Sequence, residues 1–451
     1  MSLSHVATII LAAGKGSRMN SEMPKVLHPV AGIPMIGHLI AAVDILNPEI
    51  SIVVVSPEQN DVVKYVSPIN TTVQNVPLGT GHAVSAAISK FRNFEGDVLV
   101  LFGDTPLITC ATMQAMIDAR RAKENPAAVV LGFRCKNANA YGRLVLEDGK
   151  LVRIVEVADA SPEQLQNDFC NSGIMVFDGK RLEQLLGEIS NTNSTGEYYL
   201  TDVISIAREK GWLCKALEAP DYLEVMGVNS RSDLAMAEAA MQIRLRNAAM
   251  KKGTTLIDPS SVWFSADTIV GKDITIAPNV WFGLGVHISN NVSIRSFCHI
   301  EGAFIDEYSV IGPFARLRPG ANIGREVSIG NYVEVKNTTV KEHVKINHLA
   351  YVGDSTVEAE ANIGAGAITC NYDGIKKTET KIGKGAFIGS NTALVAPVTV
   401  GDGAIIGAGS TITDDVPADA LALTRATADV REGWANRFRR GKSAKIKNKG
   451  P

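Results

Sequence analysis

Three groups of residues in this 451-residue chain are of types that do chemistry. The first is Gly14-Lys15-Gly16-Ser17-Arg18-Met19, followed by Pro24-Lys25, directly after the apolar run VATIILAA. Glycines behind a buried strand let backbone amides close around a phosphate, and Arg18 and Lys25 can neutralise it. The spacing fits neither the Walker pattern nor the G-x-G-x-x-G fingerprint, so taken alone it reads better as a plain strand-to-helix turn. The second group is Asp104, after the apolar run DVLVLF and before Thr105-Pro106. A carboxylate there is either a magnesium ligand or a helix-initiating turn residue, and the two readings stand even. The third is a polar set around breaks in a repeat: Arg318, Glu334, Lys336, His348, Tyr351, Asn362, Asn371 and Tyr372. A lone histidine in a repeat is more often structural; polar neighbours argue for more at His348.

The elements that must position the third group follow from the repeat. From Val270 to Pro417 an aliphatic or aromatic residue returns every sixth position, as in Val270, Ile276, Phe282, Ile288, Ile294 and Ile300, and again from Ile382 to Ile412. A period of six fits neither a helix nor a heptad; it marks short strands stacked as a parallel β-helix, three hexads to a triangular coil. About eight coils at roughly 4.8 Å give a rod of roughly 40 Å. Gly after the inward residue is expected to permit the corner dihedrals, and Val280, Ala315, Ala350 and Ala404 to relieve crowding. Five-residue steps from Ile300, Val335 and Val352, and the interruption CNYDGIKKTET, are where an inert scaffold would have no need of polar residues.

The first two groups sit in a different pattern. SIVVVS, a helix from His82 to Phe91, DVLVLFGD, a helix from Thr109 to Lys123 and AAVVLGF alternate in order. That alternation predicts a mainly parallel sheet covered on both faces, with ligands at the carboxyl ends of its strands. Residues 230–251 carry apolar positions at helical spacing and read as a connecting spacer helix that stops at Gly253.

Composition bounds the rest. A 45% hydrophobic, 20% charged chain of net charge −2 is ordinary soluble protein with no global attraction to nucleic acid. The basic run from Arg437 to Lys449 could bind nucleic acid but reads better as a solvated tail. Val6 to Ala13 is too short to span a bilayer and lacks a basic leader, and six scattered cysteines indicate neither zinc nor a disulfide framework. The cytoplasm is the default.

Together, LAAGKGSRM, PKVL, Gln74, LGTGHA, GDTPL, YGR, IVE, NSG, GEYYLTD and GVNSR resemble the sugar-phosphate nucleotidyltransferases. With the hexads and RPGA, HLAYVGD and NIGAGAITCNYDG, the chain closely resembles the bacterial family that joins an N-acetylglucosamine-1-phosphate uridylyltransferase to a glucosamine-1-phosphate acetyltransferase. The resemblance runs in order over roughly residues 5 to 435. It implies an α/β Rossmann-like nucleotidyltransferase domain (1–229), a linker helix (230–251), a left-handed parallel β-helix of hexapeptide repeats (252–435) and a basic tail (436–451). The handedness comes from the resemblance alone.

The resemblance extends to individual residues. Leu11, Ala12, Ala13 and Gly14 look like the uracil and ribose contact, Arg18 and Lys25 the triphosphate contacts, and Gln74, Gly79 and Thr80 the uracil reader. Phe102 joins the nucleotide and sugar site. Asp104 and Asn229 resemble the pair that holds Mg2+, and Gly142, Glu156, Asn171, Tyr199 and Thr201 the sugar-phosphate pocket. His348 matches the general base for acetyl transfer, Arg318 and Lys336 the phosphate clamp, and Tyr351, Asn362 and Glu334 the sugar and base-orienting contacts. Ala365, Asn371, Tyr372, Ser390, Ala408 and Arg425 look like the acetyl-CoA groove. A homotrimer with sites between neighbouring rods is implied, and neither nucleic-acid binding nor membrane insertion. The sequence departs from the family at Pro77, where a second glutamine is common, and at Val157-Ala158, where His-Lys is common. Two rivals remain: a nucleotidyltransferase whose β-helix only oligomerises or regulates, and a non-catalytic trimeric binding module. His348 with Asn371-Tyr372 speaks against the first rival, and Lys25, Asp104 and Asn229 against the second.

Overall fold

The computed structural model describes residues 5–135 and 141–447, which fall into two compact units. One comprises the chain to Ala248 with Phe264–Ala266, the other Ala249–Trp263 and the chain from Asp267 onward.

The first unit is built on one sheet. In chain order its strands are β1 (Val6–Leu11), β2 (Ile50–Val55), β3 (Asn70–Val73), β4 (Asp97–Phe102), β5 (Ala128–Arg134), β6 (Arg143–Glu147), β7 (Lys150–Val155), β8 (Phe169–Asp178) and β9 (Cys214–Glu218). Their order across the sheet is β9-β5-β8-β4-β1-β2-β3, with the β6–β7 hairpin attached to β8. β1 pairs parallel with both β2 and β4, in the register Leu11↔Val54 and Leu11↔Phe102. β8 alone runs antiparallel between β4 and β5, where Asn171 to Met175 breaks the register. Central strands buried on both faces read as continuous aliphatic runs: alternate residues of β1 go to opposite cores, Ala7 and Ile9 to one and Val6 and Ile10 to the other. The helix Cys110–Arg120 starts where Thr109 Oγ1 accepts from Thr112 N.

The helix Arg231–Lys251 is not the free spacer that its sequence suggests. Ala237 and Ala240 are buried in a cluster with Val30, Met35, Leu107, Met226 and Val228, and Leu234 and Met241 pack against it. Glu238 Oε2 accepts from Ala31 N at 2.6 Å, and Arg244 donates to Leu107 O at 2.6 Å. Most of this helix is therefore a layer of the first unit, and the expected boundary at 229 cuts through a core.

The second unit is a prism of stacked parallel strands. One face alone carries ten rungs among the described residues, from Thr255–Leu256 through Lys345–His348 to Leu421–Ala422. Eight of these rungs fall between Val270 and Pro417, as expected there, and the coils extend beyond it by Thr255–Leu256 and Leu421–Ala422, giving about 43 Å at ~4.8 Å per rung. The inward hexad residues from Ile276 to Ile412 are buried, as are Val280, Ala315, Ala350 and Ala404. Apart from Gly312, which takes φ 94° after Ile311, the hexad glycines do a different job from the one expected. Of those that follow an inward residue, Gly330 has no positive φ, but a Cβ there would stand 2.0 Å from Asn347 O of the next coil. Such glycines are needed for close stacking, while positive φ along one corner falls on Phe297 (63°), Phe314 (56°), Tyr332 (57°) and Leu349 (50°), and then on Gly366 (76°) and Gly409 (75°), none of which directly follows an inward residue. At the five-residue steps the strands Glu334–Val340 and Tyr351–Val357 run on around a corner, bending at Asn337 (φ 43°) and Asp354 (φ 48°). The basic residues expected to be a solvated tail lie largely in the helix Trp434–Lys447, which is exposed as far as Gly441; residues 448–451 lie outside the described part.

Candidate active sites

In the first unit a cleft of about 440 Å³ opens at the carboxyl ends of β1, β2 and β4. β1 delivers Leu11, Ala12, Ala13 and Gly14 to its wall, and β4 delivers Phe102 and Asp104. Gly103 N donates to Leu11 O at 2.9 Å, which sets the ends of the two strands side by side. Gly16 takes φ 63°, and a Cβ on it would stand 2.6 Å from Lys25 Cβ, so the glycine loop lies directly on the root of Lys25. Arg18 is exposed on the short helix Ser17–Met19.

Gln74, Gly79 and Thr80 form another wall. Gln74 Nε2 donates to Gly79 O at 3.0 Å and to His82 Nδ1 at 3.1 Å, and Thr80 Oγ1 accepts from Leu200 N at 3.1 Å. Pro77 lines the same cleft beside Asn75, and Lys15, Ser56, Glu58 and Glu197 line it without having been expected to. Lys15 was legible, lying inside the glycine loop; the others come from separate loops that only the fold assembles.

The sugar-side residues gather around β6 to β8. Asn171 N donates to Gly142 O at 2.8 Å, and a Cβ at Gly142 would stand 3.3 Å from Glu156 Oε2. Thr201 Oγ1 donates to Glu156 Oε1 at 3.0 Å. Burial pushes the Glu156 carboxyl above the usual range, and the Thr201 hydroxyl opposes that shift. Tyr199 reaches Thr195, with 2.7 Å between hydroxyls.

Asp104, Lys25 and Asn229 meet at one point. Lys25 Nζ is in close contact with Asp104 Oδ2 and donates to Asn229 Oδ1 at 3.0 Å. Val228 N donates to Asp104 O at 2.9 Å, and Asp233 Oδ2 accepts from the amides of Asn229 at 3.0 Å and Ser230 at 2.8 Å, so the first turn of the Arg231–Lys251 helix fixes Asn229. Two hard oxygens converging on one cation are the donor chemistry that a magnesium ion uses when phosphates and water supply its other ligands. No group of three or more His, Cys, Asp or Glu able to hold a metal occurs among the described residues.

In the second unit His348 heads a column along one corner of the prism. The backbone links it rung by rung: Leu349 N to Asn331 O (3.0 Å), Gly366 N to His348 O (3.3 Å), Asn391 N to Ala365 O (2.8 Å) and Gly409 N to Ser390 O (2.8 Å). Arg425 then donates to Ala408 O at 3.1 Å. Asn331, His348, Ala365, Ser390 and Ala408 thus lie in one line, about 14 Å from His348 to Ala408 at ~4.8 Å per rung.

Beside this corner, one outer face carries Glu334 and Tyr351 on adjacent strands, with Arg318 and Lys336 toward its far edge. Arg318 donates to Glu334 Oε1 at 2.8 Å. Asn371 is buried where the loop between Cys370 and Thr380 leaves the prism, with Nδ2 in contact with Asp354 Oδ2 and 3.4 Å from Tyr351 Oη; Tyr372 is exposed on that loop. Burial works against the Asp354 anion, but the Asn337 and Asn371 amides hold its carboxyl below the usual range. Lys336 beside Lys377 holds the latter's ammonium below the usual range. Asn362 is the one member placed elsewhere: it lies on the face before the corner, paired with Lys345 and Phe387.

Three functional candidates escaped sequence reasoning. Glu334, expected to orient the base, is held by Arg318, and the partner of His348 is Asn331, whose Oδ1 accepts from Nδ1 at 2.7 Å. A separation of 17 residues, one short coil, was the available signal. Asp354 and Lys377 were hidden because neither repeats; Lys377 lay in the interruption itself.

Comparison with known proteins agrees with both halves. The family model "MobA-like NTP transferase domain" matches residues 8–146, and "Bacterial transferase hexapeptide (six repeats)" matches residues 379–414. The coils are accordingly a left-handed parallel β-helix that follows a Rossmann-like nucleotidyltransferase domain in the chain. The chain is similar to the bifunctional protein GlmU of Paramagnetospirillum magneticum, 54% identical over 99% of each chain. Against the same-named protein of Rhodospirillum rubrum it is 54% identical over 97% of this chain and 98% of that one. Against that of Sphingopyxis alaskensis it is 48% identical over 96% of each. Identity at that level over both units, end to end, leaves one conclusion: the chain belongs to the family of bifunctional GlmU proteins.

Proposed function

We propose that the chain makes UDP-N-acetylglucosamine at two separate sites. The β-helix acetylates glucosamine 1-phosphate with acetyl-CoA, and the first unit then transfers UMP from UTP to the product with release of pyrophosphate. The observation that carries this reading is the joint presence, one in each unit, of the Lys25–Asp104–Asn229 cluster and the open His348 column. A β-helix used only for oligomerisation would not need a histidine tied to a polar partner at the head of a groove.

For uridylyl transfer, a sugar-phosphate oxygen attacks the α-phosphorus in line and no covalent enzyme intermediate is required. Asp104 and Asn229 would hold a magnesium ion, which would supply charge neutralisation for the two anions. Lys15, Arg18 and Lys25 add cations along the glycine loop. Gln74, whose Nε2 is engaged, leaves Oε1 to accept from the imide N–H of uracil. Pro77 contributes shape there and no donor. Glu156 and Asn171 accept and donate to sugar hydroxyls.

For acetyl transfer, Nε2 of His348 takes the proton as the 2-amino group attacks the thioester, because Nδ1 is held by Asn331; the C–S bond then breaks and coenzyme A leaves as the thiol, taking the proton back from His348. Arg318 and Lys336 take the phosphate, with Lys377 beside them. The coenzyme lies along the Ala365–Ser390–Ala408–Arg425 line, with the Ala365 amide near the oxyanion. Asn362 faces away from Tyr351, so it completes the site of a neighbouring chain in a homotrimer with one repeated interface. All six cysteines are free thiols, which suits a cytoplasmic enzyme; no helix among the described residues is long and apolar enough to cross a membrane.

The direct test is product identity by mass spectrometry after incubation with glucosamine 1-phosphate, acetyl-CoA, UTP and magnesium. UDP-N-acetylglucosamine is expected. A nucleotide sugar without the acetyl group would leave only the oligomerising role for the β-helix.

A further inference from the structure

Lys25 has a second task that its expected triphosphate contact does not cover. Its ammonium touches Asp104 Oδ2 and donates 3.0 Å to Asn229 Oδ1, the two oxygens that the proposed reading gives to the metal. The Lys25 and Asp104 side chains are only 12% and 15% exposed, so the pair is largely shielded from water. An ammonium bonds to oxygen at about 2.8 Å and magnesium at about 2.0–2.1 Å. Both want the same oxygens from the same side, and two cations at one point repel strongly in a poorly solvated site.

We propose that Lys25 is the resident cation of the metal site in the nucleotide-free enzyme, and that it must leave Asp104 and Asn229 before a divalent ion can bind. The root of the side chain is pinned under Gly16, so only its outer stem can swing. The Gly14–Gly16 loop lies on that root, and a triphosphate seated against the loop gives the ammonium a new anionic partner. Metal binding and nucleotide binding then favour one another: without a nucleotide the ion competes with Lys25, and with one the competitor is drawn away. Deleting the ammonium has the opposite effects on the two states. It tightens metal binding to the empty protein and removes the gain that nucleotide brings.

This inference rests on the reading of Asp104 and Asn229 as metal ligands, and the test separates the two. Mn2+, a paramagnetic stand-in for Mg2+, is titrated into the full-length protein, and free ion is followed by electron paramagnetic resonance. Lys25→Met and Lys25→Gln are both used, with folding checked by circular dichroism, so that loss of one variant leaves the other. Without nucleotide, both are expected to bind Mn2+ about tenfold or more tighter than wild type, as removal of a contacting unit charge implies. Adding Asp104→Ala to either should abolish the gain. A folded Lys25 variant that binds Mn2+ no tighter than wild type overturns the displacement of Lys25, provided that Asp104 is still needed for binding with UTP present. Binding that ignores Asp104 even with UTP overturns the metal-site reading itself, and the inference with it.

Discussion

The imidazole of His348 is tied to the side-chain oxygen of Asn331, 2.7 Å from Nδ1, one coil earlier on the same corner. A neutral acceptor there fixes the ring and the tautomer without adding charge to it. Asn331→Ala should lower kcat for acetyl transfer by roughly 10-fold or more, a part of the ~10²- to 10⁴-fold that a positioned base supplies. Asn331→Asp restores an acceptor but adds a negative charge. It should regain activity while moving the acid limb of the kcat profile to higher pH, which a purely structural role would not do. Uridylyl transfer should stay unchanged in both.

Asn362 and Lys336 lie on different faces of one prism. If a groove is walled by two chains, inactive Asn362→Ala and Lys336→Ala proteins, unfolded and reassembled together, should form mixed trimers with restored acetyltransferase activity in a fraction of sites. His348→Ala and Arg425→Ala share one column and should give no such recovery. Light scattering should report a trimer throughout. Full activity in a monomer contradicts the shared groove.

Burial raises the Glu156 carboxyl above its ordinary range and Thr201 restrains it. An acid whose folded value is raised favours folding most below its unfolded value, near 4.5. That contribution is lost as pH rises through the folded value. The ionised form needed for sugar hydroxyls therefore fills in later than for an ordinary glutamate. Thr201→Val removes the hydroxyl that favours the anion, so the acid limb of uridylyl transfer should move further up in pH. A limb that stays in place would show that another group sets it.

Much of both units was readable from the sequence, but only where periodicity carries it. The aliphatic run of β1 and the hexads from Ile276 to Ile412 announce burial because every nth residue faces the core. What periodicity cannot carry is which non-repeating side chains meet. Lys25, Asp104 and Asn229 are separated by up to 204 residues, and resemblance named them without revealing that the lysine holds the other two. Resemblance grouped Glu334 with Tyr351 and Asn362 as sugar and base-orienting contacts; register places Asn331, not Glu334, opposite His348. The 231–251 helix looked like a spacer because alanine, not leucine, makes its buried contacts.

That helix changes what a minimal first unit should be. A fragment ending at residue 229 loses the cover over Val30, Met35 and Leu107 and the carboxylate of Asp233 that holds Asn229. At about 1.5–3 kcal/mol for each large apolar side chain fully exposed, the loss is several kcal/mol. Chemical denaturation should find residues 1–251 clearly more stable than 1–229. Equal midpoints would return the helix to the role of a spacer.

The proposed function rests on two chemistries that can be removed one at a time. The decisive measurement is a paired assay of Asp104→Ala and His348→Ala, each scored for acetyl-CoA consumption with glucosamine 1-phosphate and for pyrophosphate release with N-acetylglucosamine 1-phosphate and UTP. Asp104→Ala should lose more than about a hundredfold in pyrophosphate release and keep acetyl transfer, and His348→Ala should show the reverse. Equal loss of both activities in either folded variant, or near-normal acetyl transfer by His348→Ala, would contradict it.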